Sequence, residues 1–101
     1  MMIRSFLPVG QGAFYCEQFM DDLKREWVNV VYDCGSSTNV KLVEEQIKNN
    51  FEKDEIIHAV FISHLDEDHI NGIPFLLKYC KVKKIFFPLL TEENAKYLRL
   101  Y

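Results

Sequence analysis

The sequence predicts an α/β fold in which a mixed sheet carries helices on one face. The predicted elements follow the order β-β-β-α-β-α-β-α, which is typical of a sheet layered against helices. Residues 56–62 form an almost continuous apolar run, as expected for a central strand covered on both faces. The 101 residues are 49% hydrophobic and 14% aromatic, which suits one domain with a modest core.

Three predicted strands open the chain, and turn-forming residues separate them. Pro8 and the glycines at 10 and 12 end the first strand, and a polar stretch ends the second. The short first connection favours a hairpin. The predicted strands cover residues 2–7, 13–19 and 27–33.

The first predicted helix follows the third strand and ends near Phe51. Ser36, Ser37 and Thr38 are residues that favour a helix N-cap. Apolar residues then recur at intervals of three and four, which indicates one buried stripe. The stripe consists of Val40, Val43, Ile47 and Phe51.

The remaining elements alternate between helix and strand. A short helix is predicted to begin near Asn71, with Pro74 in its first turn. Residues 82–87 are a predicted strand, stopped by Pro88. Thr91 caps a predicted last helix.

Composition and cysteine spacing narrow the class of protein. No apolar run approaches the roughly 20 residues of a membrane-spanning helix, and the N-terminus lacks the pattern of a secretion signal. Cys16, Cys34 and Cys80 are odd in number and widely spaced, which argues against disulfides and against a thiolate zinc site. We therefore expect a cytoplasmic protein with reduced thiols and no membrane partner.

The charge is unevenly distributed along the chain. Residues 1–77 carry 6 basic and 13 acidic side chains, whereas residues 78–101 carry 6 basic and 2 acidic ones. The basic part could favour nucleic acid, although such lysines are more often the solvated ends of a helix and an edge strand. No interleaving of aromatic and basic residues is evident in the sequence. The lysines concerned are Lys78, Lys81, Lys83 and Lys84.

Residues 61–72, F-I-S-H-L-D-E-D-H-I-N-G, hold the most informative pattern. Four potential metal ligands fall within six residues of the polar loop that follows the predicted central strand, where open α/β sheets usually bind ligands. Side chains two apart in an extended stretch face the same way, so the first two can converge on one ion. The adjacent last two suit a second ion. In order, the four are His64, Asp66, Asp68 and His69.

Two divalent metals about 3.5–4 Å apart can share a hydroxide and generate a nucleophile at neutral pH. The alternative is an acidic loop with incidental histidines that serves solubility or capping. Clustered carboxylates repel one another without a cation, which favours metal binding. Glu67 is expected to point outward. His58 lies inside the apolar strand and is interpreted as a core or edge histidine.

The loop resembles the H-x-H-x-D-H motif of the metallo-β-lactamase superfamily, including the glycine three residues after the last histidine. V-Y-D-C-G at residues 31–35 is similar to the strand-ending Asp-x-Gly of that family, which implies a structural role for Asp33 behind the ligands. P-V-G-Q-G-A at residues 8–13 is similar to the opening of the branch that contains DNA-uptake competence proteins. The resemblance implies the N-terminal half of an αββα sandwich.

The sequence departs from the family motif at its second ligand. Asp66 stands where most members have histidine, and flavodiiron proteins, another branch, have Glu there. A carboxylate is a harder ligand than imidazole, which shifts the expected metal from zinc towards iron or manganese. The resemblance therefore implies two divalent ions, with Asp68 also orienting the attacking hydroxide as the catalytic residue.

The family's remaining ligands come from a second half of the domain. No histidine follows His69 and no aspartate follows Asp68 in this sequence. We expect residues 1–101 to be the N-terminal part of a metal-dependent hydrolase acting on phosphodiesters or esters, inactive by itself. Its exposed sheet face would be covered by the rest of the domain or by a homo-oligomer. The alternative is a non-catalytic binding or assembly module that kept the fold.

Overall fold

The computed structural model describes residues 2–88. The first half of the chain forms three strands and a helix: β1 (Met2–Phe6), β2 (Gly12–Asp21), β3 (Glu26–Ser36) and α1 (Val40–Asn50). The second half forms shorter elements: β4 (Ile56–Ile57), β5 (Ala59–Phe61), α2 (Glu67–Ile70), α3 (Ile73–Tyr79), β6 (Lys81–Val82) and β7 (Ile85–Phe86). The predicted helix after Thr91 lies outside the described residues.

The main sheet is mixed and has five strands in the order β1-β2-β3-β5-β7. Strands β1, β2 and β3 form an antiparallel meander. Strand β5 pairs in parallel with β3, and β7 pairs in parallel with β5. Strands β4 and β6 pair in parallel as a separate two-stranded sheet. This architecture confirms the predicted α/β class and its mixed sheet.

Two predicted strands are each broken into two short ones. The run 56–62 divides at His58 into β4 and β5, and the run 82–87 divides at residues 83–84 into β6 and β7. At the first break the His58 Nδ1 accepts a hydrogen bond from the Asn29 backbone N–H at 3.1 Å. A side chain thus takes the place of a ladder acceptor. Sequence periodicity does not reveal that a side chain replaces a backbone acceptor at this point. The hydrogen bond agrees with the interpretation of His58 as a core or edge histidine.

One face of the main sheet is buried and the other is exposed. Val31 and Val60 are fully buried on the face that packs against the helices. Their neighbours Tyr32 and Phe61 point the opposite way and are each 37% exposed. The expectation that the apolar run is covered on both faces is therefore wrong for the described part of the chain, although β5 does have a strand on either side.

The core contains three of the four residues of the predicted stripe, whereas Val40, the first residue of α1, is only partly buried. Val43, Ile47 and Phe51 lie in the core with Leu76 of α3. The N-cap of α1 is Asn39, whose side chain accepts a hydrogen bond from the Lys41 N–H, and not the preceding serines and threonine.

Ser36 ends β3 instead of capping the helix. Its hydroxyl accepts hydrogen bonds from the backbone N–H groups of Thr38 and Asn39, which closes the turn into α1. A serine near a helix start has two such uses, and the sequence alone does not separate them.

The three cysteines are free and buried. Among residues 2–88, we find no helix with the length and apolar character needed to cross a membrane.

Candidate metal centre

The candidate site lies where the parallel strands β3 and β5 end side by side. After β5 the chain passes through Ile62, Ser63 and His64 before it turns into α2. The sequence predicts a polar loop up to residue 69, and the structure instead starts a helical turn at Glu67. Asp68 and His69 therefore project from a helix, and extended-chain alternation does not apply to them.

Asp33 anchors the start of this loop. Its backbone is left-handed (φ +56°), its side chain is buried, and it stands near the carboxyl end of β3. The carboxylate accepts two hydrogen bonds from Ser63, one from the backbone N–H at 2.8 Å and one from the hydroxyl at 2.5 Å. A positive φ is unfavourable for a residue with a side chain, so these bonds hold Asp33 in a strained conformation.

His69 faces the same carboxylate. Its Nδ1 lies 3.1 Å from Asp33 Oδ2, but the two groups are not aligned for a hydrogen bond. This buried nitrogen therefore has no hydrogen-bond partner among the described residues. The other ring nitrogen, Nε2, lies 4.0 Å from Asp68 Oδ2, and the His69 ring centroid is 5.0 Å from that of His64.

The structure thus brings His64, Asp68 and His69 into one neighbourhood with Asp33. Asp66 is the N-cap of α2; its side chain is exposed and makes no capping hydrogen bond. Within residues 2–88, no three His, Cys, Asp or Glu side chains converge closely enough to enclose an ion. The assignment of four ligands to two ions stays a prediction. Glu67 is exposed, in keeping with the expectation that it points outward.

Asn71 fastens the helical turn to β3. Its side-chain carbonyl accepts a hydrogen bond from the Ser36 N–H at 2.9 Å, and its amide donates to the Ser36 carbonyl at 2.6 Å. The next residue, Gly72, donates its N–H to the Cys34 carbonyl at 2.8 Å. Sequence reasoning treated Asn71 only as a helix start. No local pattern reveals a bond that spans 35 residues.

Gly35 allows the turn to approach β3 closely. A Cβ at this position would lie 2.5 Å from the Asp68 carbonyl oxygen and 2.8 Å from the carbonyl carbon of His69. The glycine of V-Y-D-C-G therefore sets how near the candidate ligands can lie to Asp33.

Cys34 lies next to Asp33 but is not a candidate ligand. Its side chain is fully buried, and burial raises the pKa of the thiol well above its usual value. A protonated thiol is a poor metal ligand, because the thiolate is the form that binds.

A cavity of about 530 Å³ opens beside Asp33. The turn between β1 and β2 and the aromatic face of the sheet form its walls. Residues lining it include Phe6, Pro8, Gly10, Tyr15, Tyr32 and Asp33. The candidate ligands His64, Asp68 and His69 do not line this cavity, and Asp33 is the residue that it shares with the site.

The residues present fit a divalent ion in chemistry but supply too few donors to enclose one. Imidazole and carboxylate groups are suitable ligands for zinc, iron or manganese. The unpartnered Nδ1 of His69 is a buried polar atom that a bound ion or a water would satisfy. The described residues therefore form an open, partial ligand set.

The described residues form an α/β fold in which the candidate ligand loop lies at the carboxyl ends of parallel strands. The chain belongs to the metallo-β-lactamase superfamily, which its residues 28–96 match. The predicted resemblance is thereby confirmed.

The curated relatives include two kinds of ribonuclease. The chain is 40% identical over 55 residues to ribonuclease Z of Treponema denticola, a match that covers 54% of this chain and 16% of that protein. Ribonuclease Z of Sulfolobus acidocaldarius is 34% identical over 74 residues, covering 72% of this chain and 24% of the relative. Ribonuclease J of Mycoplasma genitalium is 27% identical over 70 residues, covering 63% and 12%. The chain thus spans a quarter or less of these relatives.

Solved structures confirm the fold. A metallo-β-lactamase from Cronobacter sakazakii superposes with a TM-score of 0.52 at 19% identity, covering 89% of this chain and 32% of that one. A subclass B3 metallo-β-lactamase from a soil metagenome library gives 0.50 at 20% identity, covering 90% and 31%. The described residues therefore correspond to part of a metallo-β-lactamase fold, as the sequence predicts.

Proposed function

We propose that this chain supplies the first ligand loop of a metal-dependent hydrolase that cleaves phosphodiester bonds in RNA. The observation that carries the proposal is the meeting of His64, Asp68 and His69 at the strand ends, where Asp33 fixes the loop and the buried Nδ1 of His69 lacks a partner. The similarity to ribonucleases Z and J favours RNA over other phosphodiesters and over esters.

We propose that the completed site holds two divalent ions. His64 and Asp66 would hold one ion, and Asp68 and His69 would hold the other. Because Asp66 replaces an imidazole with a carboxylate, iron or manganese suits the first position as well as zinc does. When bound, such ions lower the pKa of a water molecule and polarise a phosphoryl oxygen.

The chain's own residues orient and support these groups. Asp68, on the first turn of α2, offers a carboxylate that can accept a proton from an attacking water and orient it. Asp33 acts through Ser63 and beside His69, so its role is to position the loop. Outer partners of this kind typically change metal affinity or activity by roughly 10- to 100-fold when removed.

We propose that the donors that this loop does not supply come from a second surface that packs on the exposed face of the main sheet. Its centre is a row of five aromatic side chains, with neighbouring ring centroids 4.6–5.5 Å apart. We call this set the aromatic row: Phe6, Tyr15, Tyr32, Phe61 and Phe86. An exposed apolar face of this kind favours contact with another surface.

We propose that a second sheet covers the aromatic row, supplied by the rest of the domain or by a second copy of the chain. Size-exclusion chromatography of residues 1–101 tests this, with Phe61→Ser in the row and Leu77→Ser, an exposed leucine on α3, as the control. Self-association that only Phe61→Ser abolishes is the expected result. A stable monomer in the unmodified chain contradicts it.

Cleavage of an end-labelled RNA by the full-length protein tests the proposed activity. Asp68→Asn is expected to lower the rate at least a hundredfold with Mn²⁺ or Zn²⁺ present, because it removes a ligand and the orienting carboxylate. Glu67→Gln changes the neighbouring exposed acid by the same charge and is expected to keep the rate within twofold. Equal rates for the two variants would contradict the proposal.

A non-catalytic binding or assembly module is the second candidate. The absence of three converging donors within residues 2–88 favours it. The two candidates differ in what can be measured on the full-length protein: the hydrolase takes up metal and cleaves RNA, whereas the module does neither. The module also keeps its fold when His64 and His69 are both alanine.

A further inference from the structure

A second surface of the molecule combines lysines with aromatic rings. Two segments, residues 48–57 and 73–88, together carry six lysines and three acidic residues, in a chain whose net charge is −3. All six lysines are exposed. We call this set the lysine face: Lys48, Lys53, Lys78, Lys81, Lys83 and Lys84.

The two segments are joined by backbone hydrogen bonds that place their lysines on neighbouring strands and turns. The Asp54 N–H donates to the Tyr79 carbonyl at 2.7 Å, and the Lys81 N–H donates to the Glu55 carbonyl at 2.9 Å. Further along, the Lys83 N–H donates to the Ile57 carbonyl at 2.9 Å. The fold therefore brings the segment that carries Lys48 and Lys53 next to the segment that carries the other four lysines.

Two of the ammonium groups lie over aromatic rings. Lys48 Nζ is 5.6 Å from the ring centroid of Phe75, and Lys53 Nζ is 5.8 Å from that of Tyr79. The two rings are stacked on one another, with centroids 5.7 Å apart. Cation–π contacts restrain long lysine side chains, so these charges are partly ordered before any ligand arrives.

The positive charge of the face is largely unneutralised. Among residues 2–88, no lysine has a carboxylate oxygen within ion-pairing distance. Of the three acids, Glu55 is turned inward: its two side-chain oxygens accept hydrogen bonds from the Glu52 N–H and from the Asn29 amide, each at 2.8 Å. Glu52 and Asp54 are the exposed acids that remain.

The lysine face and the candidate metal centre lie at opposite ends of α3. Gly72, the residue before the helix, donates a backbone hydrogen bond to Cys34, the neighbour of Asp33. Tyr79, the last residue of the helix, accepts a backbone hydrogen bond from Asp54. Seven helical residues span roughly 10 Å, a distance that a few nucleotides of a single strand cover. One strand of a few nucleotides can therefore reach both surfaces.

We propose that the lysine face binds the sugar-phosphate backbone of the nucleic acid that the candidate metal centre cleaves. The assignment of a cleaved nucleic acid rests on the proposed function; the binding itself does not. Lysine ammonium groups recognise phosphate as point charges, without base specificity. Single-stranded RNA and single-stranded DNA of the same sequence therefore bind with similar affinity.

Fluorescence anisotropy with a labelled 20-nucleotide single strand tests this, in EDTA and across a salt series. The test variant, Lys78→Gln with Lys81→Gln, removes two face charges that make no aromatic contact. The control variant, Lys24→Gln with Lys41→Gln, removes the same charge from exposed positions elsewhere. Loss of two phosphate contacts lowers the slope of log K against log salt by about 1.4, since each contributes about 0.7.

The expected result is a slope reduced by about 1.4 and at least tenfold weaker binding for the test variant only. Equal losses in both variants, unchanged binding in the test variant, or no binding by the unmodified chain would overturn the proposal, and a tenfold preference for one of the two nucleic acids would overturn its backbone assignment. Because EDTA removes metals, these outcomes are independent of cleavage. A protein that binds through this face but cleaves nothing overturns the proposed function alone.

Discussion

Replacing Asn71 with alanine is expected to detach the helical turn of the candidate site from the sheet. The Asn71 side chain makes two hydrogen bonds to the backbone of Ser36, which is only 2% exposed. Asn71→Ala leaves both a buried N–H and a buried carbonyl without that partner. A buried polar group that loses its partner costs about 1–3 kcal/mol. Water can partly reach this half-buried side chain, so we expect a total of about 2–4 kcal/mol.

Urea unfolding followed by circular dichroism measures this loss. For a domain of this size, about 1 kcal/mol lowers Tm by roughly 4–8 °C, so a loss of about 2–4 kcal/mol corresponds to a fall of roughly 8–30 °C in a thermal scan. Asn50→Ala is the matched control: Asn50 also bonds through its side chain, to the Gln46 carbonyl at 2.8 Å, but it is exposed.

The control variant is expected to lose no more than about 0.5 kcal/mol. Asn71→Asp keeps the acceptor for the Ser36 N–H but sets a carboxylate against the Ser36 carbonyl, so it too is destabilised. If Asn71→Ala costs no more than Asn50→Ala, the inferred role of this side chain is wrong.

Three further predictions concern the candidate site and the buried core. Gly35→Ala forces a methyl group against the Asp68 backbone and is expected to cost about 1–3 kcal/mol in the same urea assay; full stability would contradict the close approach. Asp33→Asn keeps a residue that tolerates positive φ but removes the charge, so metal affinity is expected to fall roughly 10- to 100-fold in a dialysis assay, and unchanged affinity would contradict the positioning role. Burial raises the pKa of Cys16 to about 12 and that of Cys80 to about 11. The unfolded chain therefore loses these protons first, and the free energy of unfolding falls as pH rises above about 9; Cys16→Ala should flatten that slope between pH 9 and 11.

The elements that the sequence predicts well depend on interactions between residues that are close together in the chain. The hydrophobic stripe of α1 and the glycine-bounded first strands depend on nearest neighbours, and each appears in the structure close to its predicted place. The N-terminal turn at Asp66 also had a local signal, since an aspartate followed by two acids is a common helix start. This turn was not predicted from the sequence, because Asp66 was interpreted as a metal ligand in an extended loop.

Features that depend on distant contacts escaped prediction. The strand break at His58 arises from a hydrogen bond with the Asn29 backbone. The helical turn α2 is attached to β3 by hydrogen bonds between Asn71 and Ser36. The contacts between lysines and aromatic rings on the lysine face are not apparent in the sequence, because Lys48 and Phe75 belong to separate segments. Such pairings exist only after the chain has folded, so no pattern within a short window reports them.

The candidate site was only partly predictable for the same reason. Residue types and spacing indicated the ligand loop and the family, and the family is confirmed over residues 28–96. The choice of ligands within the loop stays a prediction. The geometry differs from the expectation in one respect: His69 and Asp68 approach each other from a helical turn, whereas Asp66 is exposed at its N-cap. Residues 2–88 do not bring three donor side chains together, so a role for Asp66 as a metal ligand stays a prediction.

Metal content of the full-length protein, measured by plasma mass spectrometry after dialysis against buffered Zn²⁺, Mn²⁺ or Fe²⁺, tests whether the loop binds metal. We expect up to two ions per protein in the unmodified form and their loss when His64 and His69 are both replaced by alanine. We also expect His58→Gln, a change to the one histidine outside the loop, to retain the metal. An unmodified protein that holds no metal, or a double variant that keeps it, would show that these histidines are not metal ligands.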